Sequence, residues 1–438
     1  MNKSKFKDKN PYLLHYDDKN LLDINEYTNT IVLDFFDMIS YICYTDFFTP
    51  RDEDVNNKQK LNITIPVNNI EKFNEVKQDI EILLNYMTNG EKWNVNFEYQ
   101  KEIKEIGREQ KSICDGIEYN SICVLSGGLD SMSGSVVEKN NKTIFVTFET
   151  NPIEVNNSND IYENLIKNDN NKHVVIKKIS LEEKEHYTER TRSLIFIASS
   201  LIYADYYRIN EVKIYENGIM SLNPKFNFSR RVTKTTNQKT LFLINKILEK
   251  LEINIKIINP FKYKTKADII KIIPKEYDQY IKKFTRTCSK NPGIRHFRNK
   301  KKGNFHCGVC IACILRQIGM IYNNREDCEY LLPENLGDFQ NIRKYEKSIS
   351  KQKNIEKDEK ASIYKFNEKR SLLEYYKLYY KHIKEGTIYN YLDLKKEYYE
   401  DADWQEKIDE MLQKFNCELE EYFKQIKGWN KDEWNNDW

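Results

Sequence analysis

Glycine and proline are scarce in this chain, at 14 and 9 of 438 residues, which excludes a collagen-like, linker-rich or low-complexity sequence. Net charge is scarce as well: 70 Lys and Arg stand against 67 Asp and Glu, a formal charge of +3. A protein that binds by neutralising many phosphates needs a large basic surplus, so nucleic acid is not the expected partner. No apolar run approaches the roughly 18 residues of a membrane span, and the stretch Ile31–Phe36 is interrupted by Asp34. The opening MNKSKFKDKNPYLL is basic but lacks the apolar segment of a secretory signal. A cytoplasmic protein is expected. In that reducing setting the 9 cysteines read as metal ligands and buried thiols, not as a disulfide framework.

What the chain has in quantity is charge of both signs and aromatic rings. Charged residues make up 31% and hydrophobic ones only 39%, a balance that leans toward disorder. The 30 Tyr and 21 Phe supply the large apolar surfaces that disordered chains lack. A packed protein of two or three domains follows from the length, at roughly 150 residues per domain. The expected divisions are an N-terminal α/β accessory module over 1–115, a central domain over 116–330 and a helical extension over 331–438.

In the first segment, apolar periodicity predicts helices over 27–44 and 70–87, and alternation predicts strands over 61–67 and 93–97. Pro66 would end the first strand or push it to an edge. From Ser121 onward, strands and helices alternate. Strands are expected at 121–125, 143–148, 173–179, 212–215 and 253–258, and helices at 190–209 and 266–273. Such alternation predicts a doubly wound, mostly parallel sheet, with ligands bound beyond the carboxyl ends of its strands. The extension carries helical periodicity over 375–383 and 408–426. Residues 342–360 are too polar to bury much, and the tail 428–438 holds three Trp among polar residues, expected to dock on the protein surface.

Ser126-Gly127-Gly128-Leu129-Asp130-Ser131 follows a strand and opens a helix. Two glycines let backbone amides approach an anion closely, and the helix N-terminus adds its dipole. The Ser126 and Ser131 hydroxyls can donate to phosphate oxygens, and Asp130 can accept from an amide or hold Mg²⁺. The simpler alternative is a plain strand-to-helix turn capped by Ser131. Further on, Cys307, Cys310 and Cys313 recur every third residue, with Cys288 upstream. Four soft thiolates at such spacing suit tetrahedral Zn²⁺ in a closed, structural site. An iron–sulfur cluster of the bacterial ferredoxin type would want a further Cys near Gln317. His306 and His296 are possible substitute ligands.

The SGGLDS string resembles the pyrophosphate-binding loop of the PP-loop ATP pyrophosphatases. It lacks the Gly-Lys-Ser/Thr ending of a Walker loop. Together with the cysteine motif, which Arg316 closes, it is similar to the 7-cyano-7-deazaguanine synthase (QueC) family. Thr191-Arg192-Ser193-Leu-Ile-Phe196 looks like that family's GRNLLF segment, with Thr191 and Ser193 departing from Gly and Asn. Asn259-Pro-Phe261 and Thr265-Lys266-Ala-Asp268 look like its P-x-x-x-x-TKAE segment. The resemblance covers roughly residues 120–320. Glu216-Asn-Gly-Ile-Met-Ser-Leu-Asn-Pro224 and the N-terminal segments resemble the longer QueC-like proteins of anti-phage systems, Qat and type IV CBASS.

That resemblance implies a PP-loop fold of the adenine-nucleotide alpha-hydrolase type, with ATP, Mg²⁺ and Zn²⁺ bound. It implies a catalytic set of Asp130, Ser131, Lys266 and Arg192, with Arg192 and Lys266 near the nucleotide phosphates or the substrate carboxylate. Without it, these last two are a surface arginine and a first-turn lysine. The family reaction activates the carboxylate of 7-carboxy-7-deazaguanine with ATP, and ammonia then leads through an amide to the nitrile. In a longer defence-type protein, the expected acceptor is an amine of a partner protein. A conventional nitrile-forming synthase and a non-catalytic nucleotide- or deazaguanine-binding subunit are the alternatives.

Overall fold

The computed structural model describes residues 29–50, 59–100, 117–149, 152–176, 188–226, 234–288, 306, 308, 310–328, 330 and 375–425. The polar stretch 342–360, His296 and the Trp-rich tail lie outside the described residues. Helix α1 (Thr30–Phe48) starts where the Asn29 side chain accepts from the Ile31 and Val32 amides. Strand β1 (Lys60–Val67), helix α2 (Ile70–Met87) and strand β2 (Lys92–Tyr99) follow. The two strands pair in parallel, Leu61 opposite Trp93 and Ile65 opposite Phe97, with α2 as the crossover. Pro66 is tolerated because β1 has a single strand neighbour among the described residues, so no second ladder needs its missing N–H. Asp34, almost wholly buried, accepts from the Asn68 and Asn69 backbone amides at 2.9 Å and ties α1 to the start of α2.

The central sheet is five-stranded and wholly parallel: β3 (Ser121–Val124), β4 (Thr143–Phe148), β5 (Lys172–Ile176), β6 (Glu211–Lys213) and β7 (Lys256–Ile258), in the order β5-β4-β3-β6-β7. Every residue of β4 is buried, as a strand covered on both faces requires. On one face Ile122, Ile144 and Val146 meet α5 (Arg192–Tyr206) and α7 (Gln238–Lys250) through Leu194, Ile197 and Ile244. On the other, Cys123 and Phe145 meet α3 (Leu129–Glu138) and α8 (Lys266–Ile272) through Met132 and Ile270. The fold is therefore α/β, with parallel sheets and many helices. The chain first runs outward from β3 to β5 and then resumes on the opposite side of β3 with β6. That reversal falls between β3 and β6, and ligands of such sheets bind beyond the carboxyl ends of the strands at this point.

The flanking segments share apolar clusters with this centre. Phe35 and Ile39 of α1 and Ile80 and Leu84 of α2 lie in one cluster with Leu194, Ile197 and Ile244. Helices α4 (Pro152–Ile161), α6 (Gly218–Leu222), α9 (Asp278–Phe284) and α10 (Ile311–Tyr322) complete the central part. In the extension, the helix over 375–384 (α11) and α12 (Trp404–Lys424) pack Tyr376, Tyr379 and Phe415 against Cys310, Cys313 and Ile318. The buried tyrosines keep their hydroxyls satisfied: Tyr376 donates to the Ile311 carbonyl and Tyr379 to that of Ile219. Among the described residues no helix is long and apolar enough to cross a membrane.

Candidate functional site at the carboxyl edge of the sheet

The loop after β3 is anchored where the Leu125 amide donates to the Val146 carbonyl. Gly127 has φ +74°, the left-handed region, and a Cβ there would lie 2.9 Å from the Glu154 carbonyl of α4. Both facts require glycine. Gly128 caps α3 with an extended backbone, and Leu129 is buried beneath the loop. The Ser131 hydroxyl donates to the Gly128 carbonyl at 2.9 Å and accepts from the Ser126 hydroxyl at 3.1 Å. The string is thus a strand–turn–helix with both serine hydroxyls meeting at its mouth.

Asp130, in the first turn of α3, is joined by a residue from far along the chain. The Lys266 ammonium, only 2% exposed, lies 2.8 Å from its Oδ2. Lys266 is placed by the start of α8, where Thr265 and Asp268 form a reciprocal capping box. Asn217 Nδ2 donates to the same Asp130 oxygen at 3.3 Å and contacts Glu216 Oε1 at 3.3 Å. Asp130 Oδ1 is buried without an amide, hydroxyl or ammonium donor, and the Glu216 carboxyl hydrogen-bonds to the Asp130 carboxylate. Burial, with the neighbouring Asp130 carboxylate, raises the Glu216 carboxyl well above its ordinary value. The Lys266 ammonium thus faces two carboxyl groups, Asp130 directly and Glu216 beside it.

Two side chains set this second wall of the site. Asn259, after β7, accepts from the Glu216 amide at 3.2 Å and donates to the Glu216 carbonyl at 2.8 Å. Tyr215 lies so close to α3 that a Cβ on Gly134 would fall 2.1 Å from its ring. Glycine at 134 is what lets the helix carrying Asp130 approach the chain after β6. Glu216 and Asn217 were not among the expected site residues. Their signal was position: they follow β6, the strand beside β3, which shows only once the strand order is known.

Arg192 stands apart. Its side chain is 37% exposed and pairs with Glu189 at 3.3 Å and Glu154 at 3.8 Å, on the α4 side of the glycine turn. It does not join Lys266 on Asp130. Beside it, Thr191 is buried, and both its amide and its hydroxyl donate to Asp46 of α1, at 2.9 and 3.0 Å. A glycine there would leave this buried carboxylate one donor short, a physical reason for threonine at this position. The Ser193 hydroxyl is buried and makes no hydrogen bond.

Cys288, Cys310 and Cys313 come together, all buried, with their sulfurs within 4.8 Å of one another. Cys307 lies outside the described residues. Three clustered soft donors can hold a metal ion such as zinc. Both ring nitrogens of His306 are engaged elsewhere: Nε2 accepts from the Thr287 amide at 3.0 Å and Nδ1 lies 3.0 Å from Cys328 Sγ. Burial, aided by the nearby Arg316 charge, lowers its pKa to about 3, so the ring is neutral.

No protein-family model, curated protein or solved structure matches the chain.

The extension reaches the site through Glu418 of α12. Its carboxyl accepts from the Thr265 hydroxyl and from the Ala267 amide at the start of α8, and both bonds work against the effect of its burial. Burial pushes it up to about 8, Asp268 adds to the rise and Lys414 opposes it. The folded protein holds this proton up to about pH 8, whereas an unfolded chain releases it near the ordinary 4.5. This group's contribution is fully present below about 4.5 and declines as the pH rises to about 8. Glu418→Gln should remove that decline, so the variant gains melting temperature relative to wild type between pH 5 and 8.5. A constant difference across that range would show that Glu418 does not titrate in this way.

Proposed function

We propose that the protein is a QueC-like PP-loop enzyme that uses ATP to adenylate the carboxylate of 7-carboxy-7-deazaguanine, or a related 7-deazaguanine. It then passes the acyl group to an amine of a partner protein in cytoplasmic anti-phage defence. One observation carries the reading. The glycine turn and the Thr265-Lys266-Ala-Asp268 helix start, far apart in sequence, meet as a buried ion pair at the switch point of a parallel sheet.

The residues fit the groups the reading requires. Backbone amides of Gly127, Gly128 and Leu129, with the Ser126 and Ser131 hydroxyls, would hold the departing pyrophosphate. The Asp130 carboxylate, whose buried Oδ1 meets no amide, hydroxyl or ammonium donor, is a hard oxygen ligand that suits Mg²⁺, which would supply charge neutralisation. Lys266 would place a fixed positive charge in a site shielded from water, where it counts for more than in solution. A substrate carboxylate oxygen bonds to the α-phosphorus of ATP as the bond to pyrophosphate breaks. The acceptor amine then displaces AMP and loses a proton. Cys288, Cys307, Cys310 and Cys313 would hold zinc as a closed structural site.

The test is mass spectrometry of the full chain with Mg²⁺-ATP, 7-carboxy-7-deazaguanine and either ammonium or the products of neighbouring genes. The reading expects AMP and a partner protein heavier by the deazaguanine acyl group. Free nitrile formed from ammonium would favour the conventional synthase. No AMP under any condition would favour a binding subunit.

A further inference from the structure

The thiol cluster and the phosphate loop occupy different parts of the chain, yet one short segment touches both. The chain leaves α9 at Thr285 in extended conformation, with φ −93° and ψ 136°. In an extended run, side chains two residues apart point the same way, as those of Thr285 and Thr287 do. Both hydroxyls accept from Arg316 Nη1, at 2.7 and 3.2 Å. Between them, the Arg286 amide donates to the Gly127 carbonyl at 3.0 Å. The next residue but one after Arg286 is Cys288, of the thiol cluster. Arg316 itself lies one helical turn beyond Cys313 on α10 and is fully buried.

We infer that Arg316 is a positioning residue that latches the phosphate-loop backbone to the thiol cluster. Every arm of its guanidinium is used. Nε and Nη2 grip Asp327 at 2.7–2.9 Å, Nη2 also donates to the Ile281 carbonyl at 3.2 Å, and Nη1 serves the two threonines. The planar fork fixes the 285–288 segment relative to α10, which a lysine, with one flexible ammonium, cannot do. A metal drawing Cys288 toward Cys310 and Cys313 closes the same segment from its other end. The Arg286 hydrogen bond to the Gly127 carbonyl then depends on both fasteners, because Arg286 lies between Thr285 and Thr287 and two residues before Cys288. Metal occupancy sets the loop geometry without the metal approaching the nucleotide.

The nucleotide consequence rests on the proposed function; the latch does not. The experiment compares zinc-loaded full-length protein, chelator-stripped protein and zinc-loaded Arg316→Lys. It follows amide exchange of the peptide holding Arg286 by mass spectrometry and Mg²⁺-ATP affinity by calorimetry, with metal content measured in parallel. Stripping and Arg316→Lys should each speed exchange at Arg286 and weaken ATP binding by about tenfold, the scale of one lost hydrogen bond. If Arg316→Lys fails to fold, the stripped wild type still decides the matter. Unchanged exchange at Arg286 on stripping, or a protein that takes up no zinc, overturns the latch. Wild type that exchanges as expected yet binds no ATP supports the latch and counts against the functional reading.

Discussion

Asp327→Ala is expected to lower stability by about 3–5 kcal/mol, because it leaves a fully buried guanidinium without its counter-charge. The pair is not a surface salt bridge that solvent can replace. Burial alone would raise the Asp327 pKa, but Arg316, with bonds from Tyr330 and the Cys328 amide, brings it down to about 2. The stabilisation is thus complete above the ordinary 3.8 and fades as the pH falls toward about 2. Urea melts at pH 7 measure the effect directly. A loss below about 1 kcal/mol, the range of exposed pairs, would mean that water reaches Arg316 in solution. Asp327→Asn should fall between the two, since it keeps an acceptor but loses the charge.

Lys266→Met is expected to cut AMP formation by at least about a hundredfold, the usual cost of removing one fixed donor from a water-excluded site. Methionine keeps most of the side-chain volume in a position that is 2% exposed, so the fold should survive. Loss of the ammonium also leaves the Asp130 carboxylate without its counter-charge, so the variant should melt below wild type, and turnover is compared at a temperature where both proteins are folded. A folded variant that turns over within about threefold of wild type would remove Lys266 from the reaction, since a threefold change is under 1 kcal/mol.

The sequence announced the sheet through short β-branched runs and the loop through its glycines. Ser121–Val124 and Thr143–Phe148 are wholly buried, so their apolar runs stood out. Helix α7 over Gln238–Lys250 was legible in the spacing of Leu241, Ile244, Ile247 and Leu248, and was not anticipated. Other features could not be read from spacing at all. Glu216 joins Asp130 only because β6 lies beside β3. Glu418 reaches Thr265 from the far extension, as Asp46 reaches Thr191 from the first helix. These are pairings between distant segments, which no local period encodes. They also give the flanking segments structural work: α1 braces the segment before Arg192, and α12 braces the helix that carries Lys266.

The central claim is that the site beyond β3 and β6 joins a substrate carboxylate to the α-phosphate of ATP. Oxygen-18 in the carboxylate of 7-carboxy-7-deazaguanine tests it most directly, with the isotopic composition of the nucleotide product read by mass spectrometry. If the carboxylate oxygen attacks the α-phosphorus and the acceptor then displaces AMP, that AMP carries one labelled oxygen. Unlabelled AMP, or ADP in its place, would contradict the account.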